Sequence, residues 1–178
     1  MTRNIWVISD THWNHANILR FTDSNTGELI RPGFNSVKEM NELMIQRWNE
    51  VIRPGDIVYH LGDVVMGIDQ EGWMKQHWPR LMGKKRLIVG NHDNIKMLSS
   101  GGFFGKVQMW RVFSEFGLIL SHVPLHESSL YRGAGEYQQM LNVHGHIHQH
   151  PSPPGPYRCV CVEQTDYRPV NIDELRSY

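Results

Sequence analysis

A chain of 178 residues with 40% apolar and 20% charged residues has the length and composition of one soluble globular domain, 1–178, able to bury a core. Its 18 basic and 18 acidic residues cancel, so no global field draws it to nucleic acid, and any such contact would need a local patch. No run approaches the roughly 20 apolar residues of a membrane-spanning helix, and the opening MTRNIWVISDTH lacks a secretory leader's apolar region and cleavage site.

Short apolar runs alternate with helical patterns, the rhythm of an α/β protein. NIWVIS (4–9) reads as a first buried strand, followed by a loop and short helix over 14–21. From Ser36, SVKEMNELMIQRWNEVI places Met40, Leu43, Met44, Trp48 and Val51 on one helical stripe, with Ser36 and Glu39 forming a capping box. PGD at 54–56 stops that helix, and IVYHLG (57–62) makes the second strand. A helix is expected over 71–82, blurred at its end by Pro79, and RLIVG (86–90) is the third strand. The basic run KKR at 84–86 reads as a solvated turn before that strand.

The second half is richer in strands. GKVQMWRVF (105–113) and FGLILSH (116–122) look like a hairpin around Ser114 and Glu115. QMLNVHG (139–145) and YRCVCVE (157–163) are further strands, with PSPPGP (151–156) as a rigid turn between them. PVNIDELR closes with a short helix capped by Asn171. Cys159 and Cys161 point to one face of a strand but stand too close along the chain for an easy disulfide, so they read as reduced packing residues of a cytoplasmic protein. GAGEY at 133–137 lacks the third glycine and the preceding strand of a dinucleotide loop, and neither a P-loop, a G-x-S-x-G elbow nor an H-E-x-x-H helix is present.

Five apolar runs end in a polar burst: VISDTH, HLGDVV, IVGNHD, LILSHVP and NVHGHIH. In open α/β sheets ligands sit beyond the carboxyl ends of strands, so these bursts are expected to converge. They collect Asp10, His12, Asp63, Asn91, His92, His122, His146 and His148. Carboxylates, imidazoles and one amide oxygen suit Mn²⁺, Fe, Zn²⁺ or Mg²⁺. In DTH and HIH, residues two apart in an extended segment face the same way, and the glycines before Asp63, Asn91 and His146 permit backbone geometry closed to bulkier residues.

The ordered set DTH, GD, GNHD, SH and GHIH, spanning residues 10 to 148, resembles the calcineurin-like metallophosphoesterase superfamily, in its small bacterial and phage form. The resemblance implies a four-layer αββα sandwich of two mixed sheets flanked by helices, with two divalent metals bridged by one aspartate. By that correspondence Asp10, His12, Asp63 and His148 hold the first metal, and Asp63, Asn91, His122 and His146 the second. His92 matches the catalytic histidine, oriented by Asp93 or a backbone carbonyl. Manganese is the expected metal, with Fe, Zn, Ni and Mg as alternatives. Within the cluster at 142–150, His144 is then packing or support and His150 exposed; His60 and His77 are structural.

The implied activity is hydrolysis of a small phosphodiester, a nucleotide or similar compound, with a hydroxide between the two cations as nucleophile. A phosphomonoesterase and a non-catalytic interaction scaffold are the alternatives. GDVV departs from the GDxVDRG run that supplies a phosphate-binding arginine in protein phosphatases, which argues against protein dephosphorylation. His15, Asn17, Arg20, Arg31 and His126 are candidate substrate contacts. Trp13 is a candidate for stacking on a base, and Trp110 is read as packing. Oligomeric state is open.

Overall fold

In a computed structural model that describes residues 4–132 and 138–176, two sheets stack face to face. The GAGEY run at 133–137 lies outside the described residues. Strand β1 (Ile5–Ile8) leads through a 3-10 turn (Ala16–Arg20) to helix α1 (Val37–Val51) and strand β2 (Ile57–His60). Helix α2 (Gln70–His77), strand β3 (Lys84–Ile88), helix α3 (Ile95–Ser100) and strand β4 (Val107–Gln108) follow. The second half holds β5 (Trp110–Phe113), β6 (Leu118–Ser121), β7 (Tyr131–Arg132), β8 (Gln138–Gln139), β9 (Leu141–His144) and β10 (Tyr157–Cys159), then β11 (Val170–Asn171) and α4 (Ile172–Arg176).

The first sheet has the order β11-β1-β2-β3-β4, with β1 to β4 parallel and β11 antiparallel to β1. The second has the order β10-β9-β6-β5, with β6, β9 and β10 parallel and β5 antiparallel. Between the sheets lies a core that includes Val7, Tyr59, Ile88, Phe113, Leu120 and Val143. The other face of the first sheet packs on α1 and α2 through Met40, Met44, Trp48, Trp73 and Met74. The outer face of the second is covered more thinly, by Leu130 and Met140 over Ile119. This is the two-sheet, helix-flanked architecture the motifs imply. Among the described residues no helix is long and apolar enough to cross a membrane.

Helix α1 forms as its stripe requires. The Ser36 side chain accepts the Glu39 amide at 3.1 Å, and Met40, Met44 and Trp48 are buried. Glu39 reaches back to the Asn35 amide (2.9 Å) rather than to Ser36, so the box is offset by one residue. Trp48 is fully enclosed with its indole N–H on the Met82 carbonyl, and Trp48→Ala would cost about 3–5 kcal/mol.

Several expectations need correction. The helix over 71–82 stops at His77 and tightens into a 3-10 turn (Trp78–Arg80) around Pro79, which cannot donate to the helical ladder. KKR is the start of β3 rather than a turn: Lys85 donates to the Leu81 carbonyl (2.5 Å) and Arg86 to the Tyr59 hydroxyl (2.6 Å). The segment 105–113 is not one hairpin arm. It splits at Met109, with β4 pairing to β3 in the first sheet and β5 to β6 in the second. The β9–β10 pair is parallel, so the chain from 145 to 156 is a crossover that ends in PSPPGP rather than a single turn. Helix α3, capped by the Asn94 side chain on the Met97 amide (3.1 Å), was not expected, whereas Asn171 does cap α4 through the Asp173 amide (2.9 Å).

Candidate metal centre

The parallel strands β1, β2 and β3 release Asp10, Asp63 and Asn91 at their carboxyl ends, and β6 and β9 release His122 and His146. All the collected residues therefore meet at one rim of the sandwich. They do not meet by the extended geometry read from DTH and HIH. Asp10 (φ 55), His12 (45), Asp63 (55), His146 (71) and His148 (49) all adopt left-handed backbone. Such conformations cost on the order of 1–3 kcal/mol each and persist where the surroundings over-determine them. Alternate residues still face one site: Nε2 of His12 and of His148 both approach Asp10 Oδ1.

The glycines allow three loops to crowd together. Gly62 has φ +92, but Gly90 and Gly145 are required by close approach: a Cβ at Gly90 would strike the Asp63 carboxylate and amide, and one at Gly145 would strike Ser9 and Asp10.

Two groups of side chains could each hold an ion: Asp10, His12 and His148, and Asp10, Asp63 and His122, the donor atoms within each lying within 4.8 Å of one another. Asp63 Oδ2 stands 3.6 Å from Nε2 of both His12 and His122. Asp10 Oδ1 stands 3.9 Å from Nε2 of both His12 and His148. Asn91 Oδ1 lies 2.7 Å from His122 Nε2 and 2.9 Å from His146 Nδ1. Asp10 thus enters both groups, whereas the sequence assigns it to one.

The chemistry of these atoms fits cations. Asp10 Oδ1 and His12 Nε2 are buried with no hydrogen-bond partner, as is His12 Nδ1. Such orphaned groups are costly unless something charged satisfies them. His122 Nδ1 faces the Leu61 carbonyl (2.7 Å) and so carries a proton, which leaves Nε2 as the ring atom turned to Asn91 Oδ1. Burial raises the Asp10 carboxyl above the usual range, though His122, His148 and hydrogen bonds from Ser9 and the His146 amide oppose it. Burial also holds His12 far below its ordinary value, with Arg31 and neighbouring histidines adding to the effect. Burial is the leading cause of both shifts.

The exposed His92 stands on the open side, its ring centroid 5.9 Å from that of His12 and its amide donating to Asp63 Oδ1 at 2.9 Å. Asp93 does not orient it. Its carboxylate accepts the amides of Val64 (2.9 Å), Gly90 (2.8 Å) and Asp63 (3.2 Å), which clamps the two loops, and it makes no hydrogen bond to the His92 ring.

Among the candidate substrate contacts, His15 is at the rim, 5.6 Å from His12 by ring centroids, and Asn17 and Arg20 are exposed on the following turn. His126 is exposed with its ring engaged by Ser128. Arg31 is not available to a substrate. It is buried, and its guanidinium donates to the carbonyls of Asp10 (2.6 Å) and Thr11 (2.9 Å) and to Glu163 (2.8 Å). Trp13 cannot stack on a base, being fully buried against Trp73, while Trp110 is 60% exposed rather than packed. His144 is enclosed between Gly145 and Ser152, His60 is buried against Thr11, His77 stacks on Trp73, and His150 is exposed.

Sequence reasoning missed Glu163. It ends the apolar run YRCVCVE, the same signal that marked the other site residues, and it lies 2.9 Å from His148 Nδ1. A cleft of about 410 Å³ opens beside His146 and His148, walled by Thr22, Asp23, Ser24 and Ile30. The larger cavity, about 530 Å³, lies at the far end of the second sheet around Phe116, Tyr157 and Arg176 and holds none of these residues.

The family model described as calcineurin-like phosphoesterase matches residues 3–172. The chain is 32% identical over 178 residues to the uncharacterized protein MJ1445 of Methanocaldococcus jannaschii, an alignment covering 96% of this chain and 88% of that one. It is 28% identical over 147 residues to the Gene 66 protein of Mycobacterium phage L5, covering 79% of this chain and 62% of the phage protein. In fold it resembles a protein of unknown function, AQ665, from Aquifex aeolicus, with a TM-score of 0.70, 24% identity and 98% of each chain covered.

Proposed function

Because the chain belongs to the calcineurin-like phosphoesterase family, we propose that it is a binuclear-metal phosphodiesterase acting on nucleotides or other small diesters. The observation that carries this reading is the placement of Asp63 Oδ2 at 3.6 Å from both His12 and His122, between two sets of candidate ligands. Asp10, His12, Asp63 and His148 would hold one ion, and Asp63, Asn91, His122 and His146 the other. Two such cations supply Lewis-acid charge to the phosphate and lower the pKa of the attacking water. Manganese is our expected metal, since the set mixes carboxylates, imidazoles and an amide oxygen without thiolate.

His92 would donate a proton to the leaving oxygen or hold its developing charge, from a position fixed by the hydrogen bond its backbone N–H donates to Asp63 Oδ1. A general acid is worth about 10²–10⁴ in rate. Among the described residues, those that form the centre include no lysine or arginine, and the Arg31 guanidinium is turned away into the protein. That favours the singly charged phosphate of a diester over the dianion of a monoester. The cleft beside His148 is the place we assign to the ester's alcohol portion. The free, buried Cys159 and Cys161 accord with a reducing, cytoplasmic setting.

The test is hydrolysis of a chromogenic diester and a chromogenic monoester with Mn²⁺, repeated in chelator. Faster metal-dependent turnover of the diester is expected. A faster monoester overturns the diesterase reading, and no turnover with any divalent metal favours a non-catalytic scaffold of this fold.

A further inference from the structure

We propose that Glu163, locked by Arg31, is the positioning residue for His148, and that it makes the Asp10–His12–Asp63–His148 position the tighter of the two metal positions. This rests on the two-metal reading above.

Glu163 Oε1 accepts from Arg31 Nε at 2.8 Å, lies 2.8 Å from Arg31 Nη2 and stands 2.9 Å from His148 Nδ1. The side chains of Glu163 and Arg31 are 3% and 0% exposed. The same guanidinium donates to the carbonyls of Asp10 and Thr11. One buried fork therefore ties the loop bearing Asp10 and His12 to the carboxylate that meets His148, although the residues lie 132 apart in sequence. An ionised carboxylate only accepts, so His148 Nδ1 carries a proton, and Nε2, which faces Asp10 Oδ1 at 3.9 Å, is the ring atom left to meet a cation. The Arg31 guanidinium sets a positive charge against the buried Glu163 carboxylate, and a histidine backed by a carboxylate is a more basic ligand.

The second position lacks this support. His122 Nδ1 is backed by the neutral Leu61 carbonyl, and Asn91 and His146 are exposed. A charged, buried backing on one side and a neutral, open one on the other make the two positions unequal.

Mn²⁺ titration of the metal-free chain by calorimetry and by electron paramagnetic resonance of free Mn²⁺ tests this. Wild type is expected to bind in two classes, and Glu163→Gln to weaken the tighter one by about 10–100-fold while leaving the other in place. Equal affinities in Glu163→Gln and wild type, or equal weakening of both classes, would overturn the proposal and leave the two-metal reading standing. Wild type that binds no divalent metal would instead remove the two-metal reading itself. Nitrogen-15 NMR of zinc-loaded wild type keeps the test independent of how the variant folds. His148 is expected to be protonated on Nδ1 and metal-bound through Nε2; a ring protonated on Nε2, with the other histidines still shifted by zinc, would contradict the role of Glu163.

Discussion

The backbone amide of His92 donates to Asp63 Oδ1 at 2.9 Å, while Asp63 Oδ2 faces both His12 and His122. One carboxylate thus serves the space between the two candidate metal positions with one oxygen and fixes the histidine over the open side with the other. The placement of His92 and the integrity of the centre are therefore separable by mutation.

His92→Ala should retain its metal, because the bond to Asp63 comes from the backbone and the ring ligates nothing in this account. Turnover of a diester should fall about 10²–10⁴-fold. Elemental analysis and kcat on one preparation check both halves; unchanged kcat would remove the proton-donor role.

Asp63→Ala should empty both positions, since each draws on the same Oδ2. Metal content measured after gel filtration is expected to fall to near zero. Full occupancy would contradict the bridging assignment.

Gly145→Ala should damage the centre without replacing a candidate ligand. The added methyl would strike Ser9 and Asp10, parting the His146 amide from Asp10 Oδ2, now 2.8 Å away. Overpacking of this kind costs about 1–3 kcal/mol, and Mn²⁺ affinity should drop as well. Wild-type affinity with an unchanged thermal midpoint would show that the loops can move apart freely.

His60 sets a pH dependence. The Thr11 hydroxyl donates its one proton to the Val64 carbonyl (2.9 Å), so His60 Nε2 donates to Thr11 (2.9 Å) and the ring is neutral. Burial lowers its pKa to about 3, with His122 adding to the effect. Folded His60 therefore stays unprotonated where the unfolded chain, near 6.5, takes up a proton, and stability is lost as pH falls from 6.5 toward 3. In chelator, the thermal midpoint of His60→Gln should fall less than that of wild type between pH 7 and about 4. Parallel profiles would mean that His60 is not the group responsible.

Much of this was legible in the chain. Asp10, Asp63, Asn91, His122 and His146 each end an apolar run, and parallel strands bring such ends to one rim. What pattern could not supply was the means. DTH and HIH read as extended but are left-handed at alternate residues, a conformation set by the tertiary crowding of Gly62, Gly90 and Gly145. Met109 sits inside an unbroken strand-like run, and only the existence of two sheets explains the change of partner there. Arg31 looked like a phosphate grip because an arginine near the site is ordinarily solvated; its burial depends on Glu163, 132 residues away. Asp93 next to His92 suggested a dyad, yet the backbone amides of the neighbouring loops claim its carboxylate first.

The most direct test is an anomalous-difference map from crystals of the Mn²⁺-loaded chain. Two peaks about 3.5–4 Å apart are expected, with Asp63 between them, His12 and His148 at one, and Asn91, His122 and His146 at the other. An empty rim, or a single ion bound without Asp63, would contradict the account.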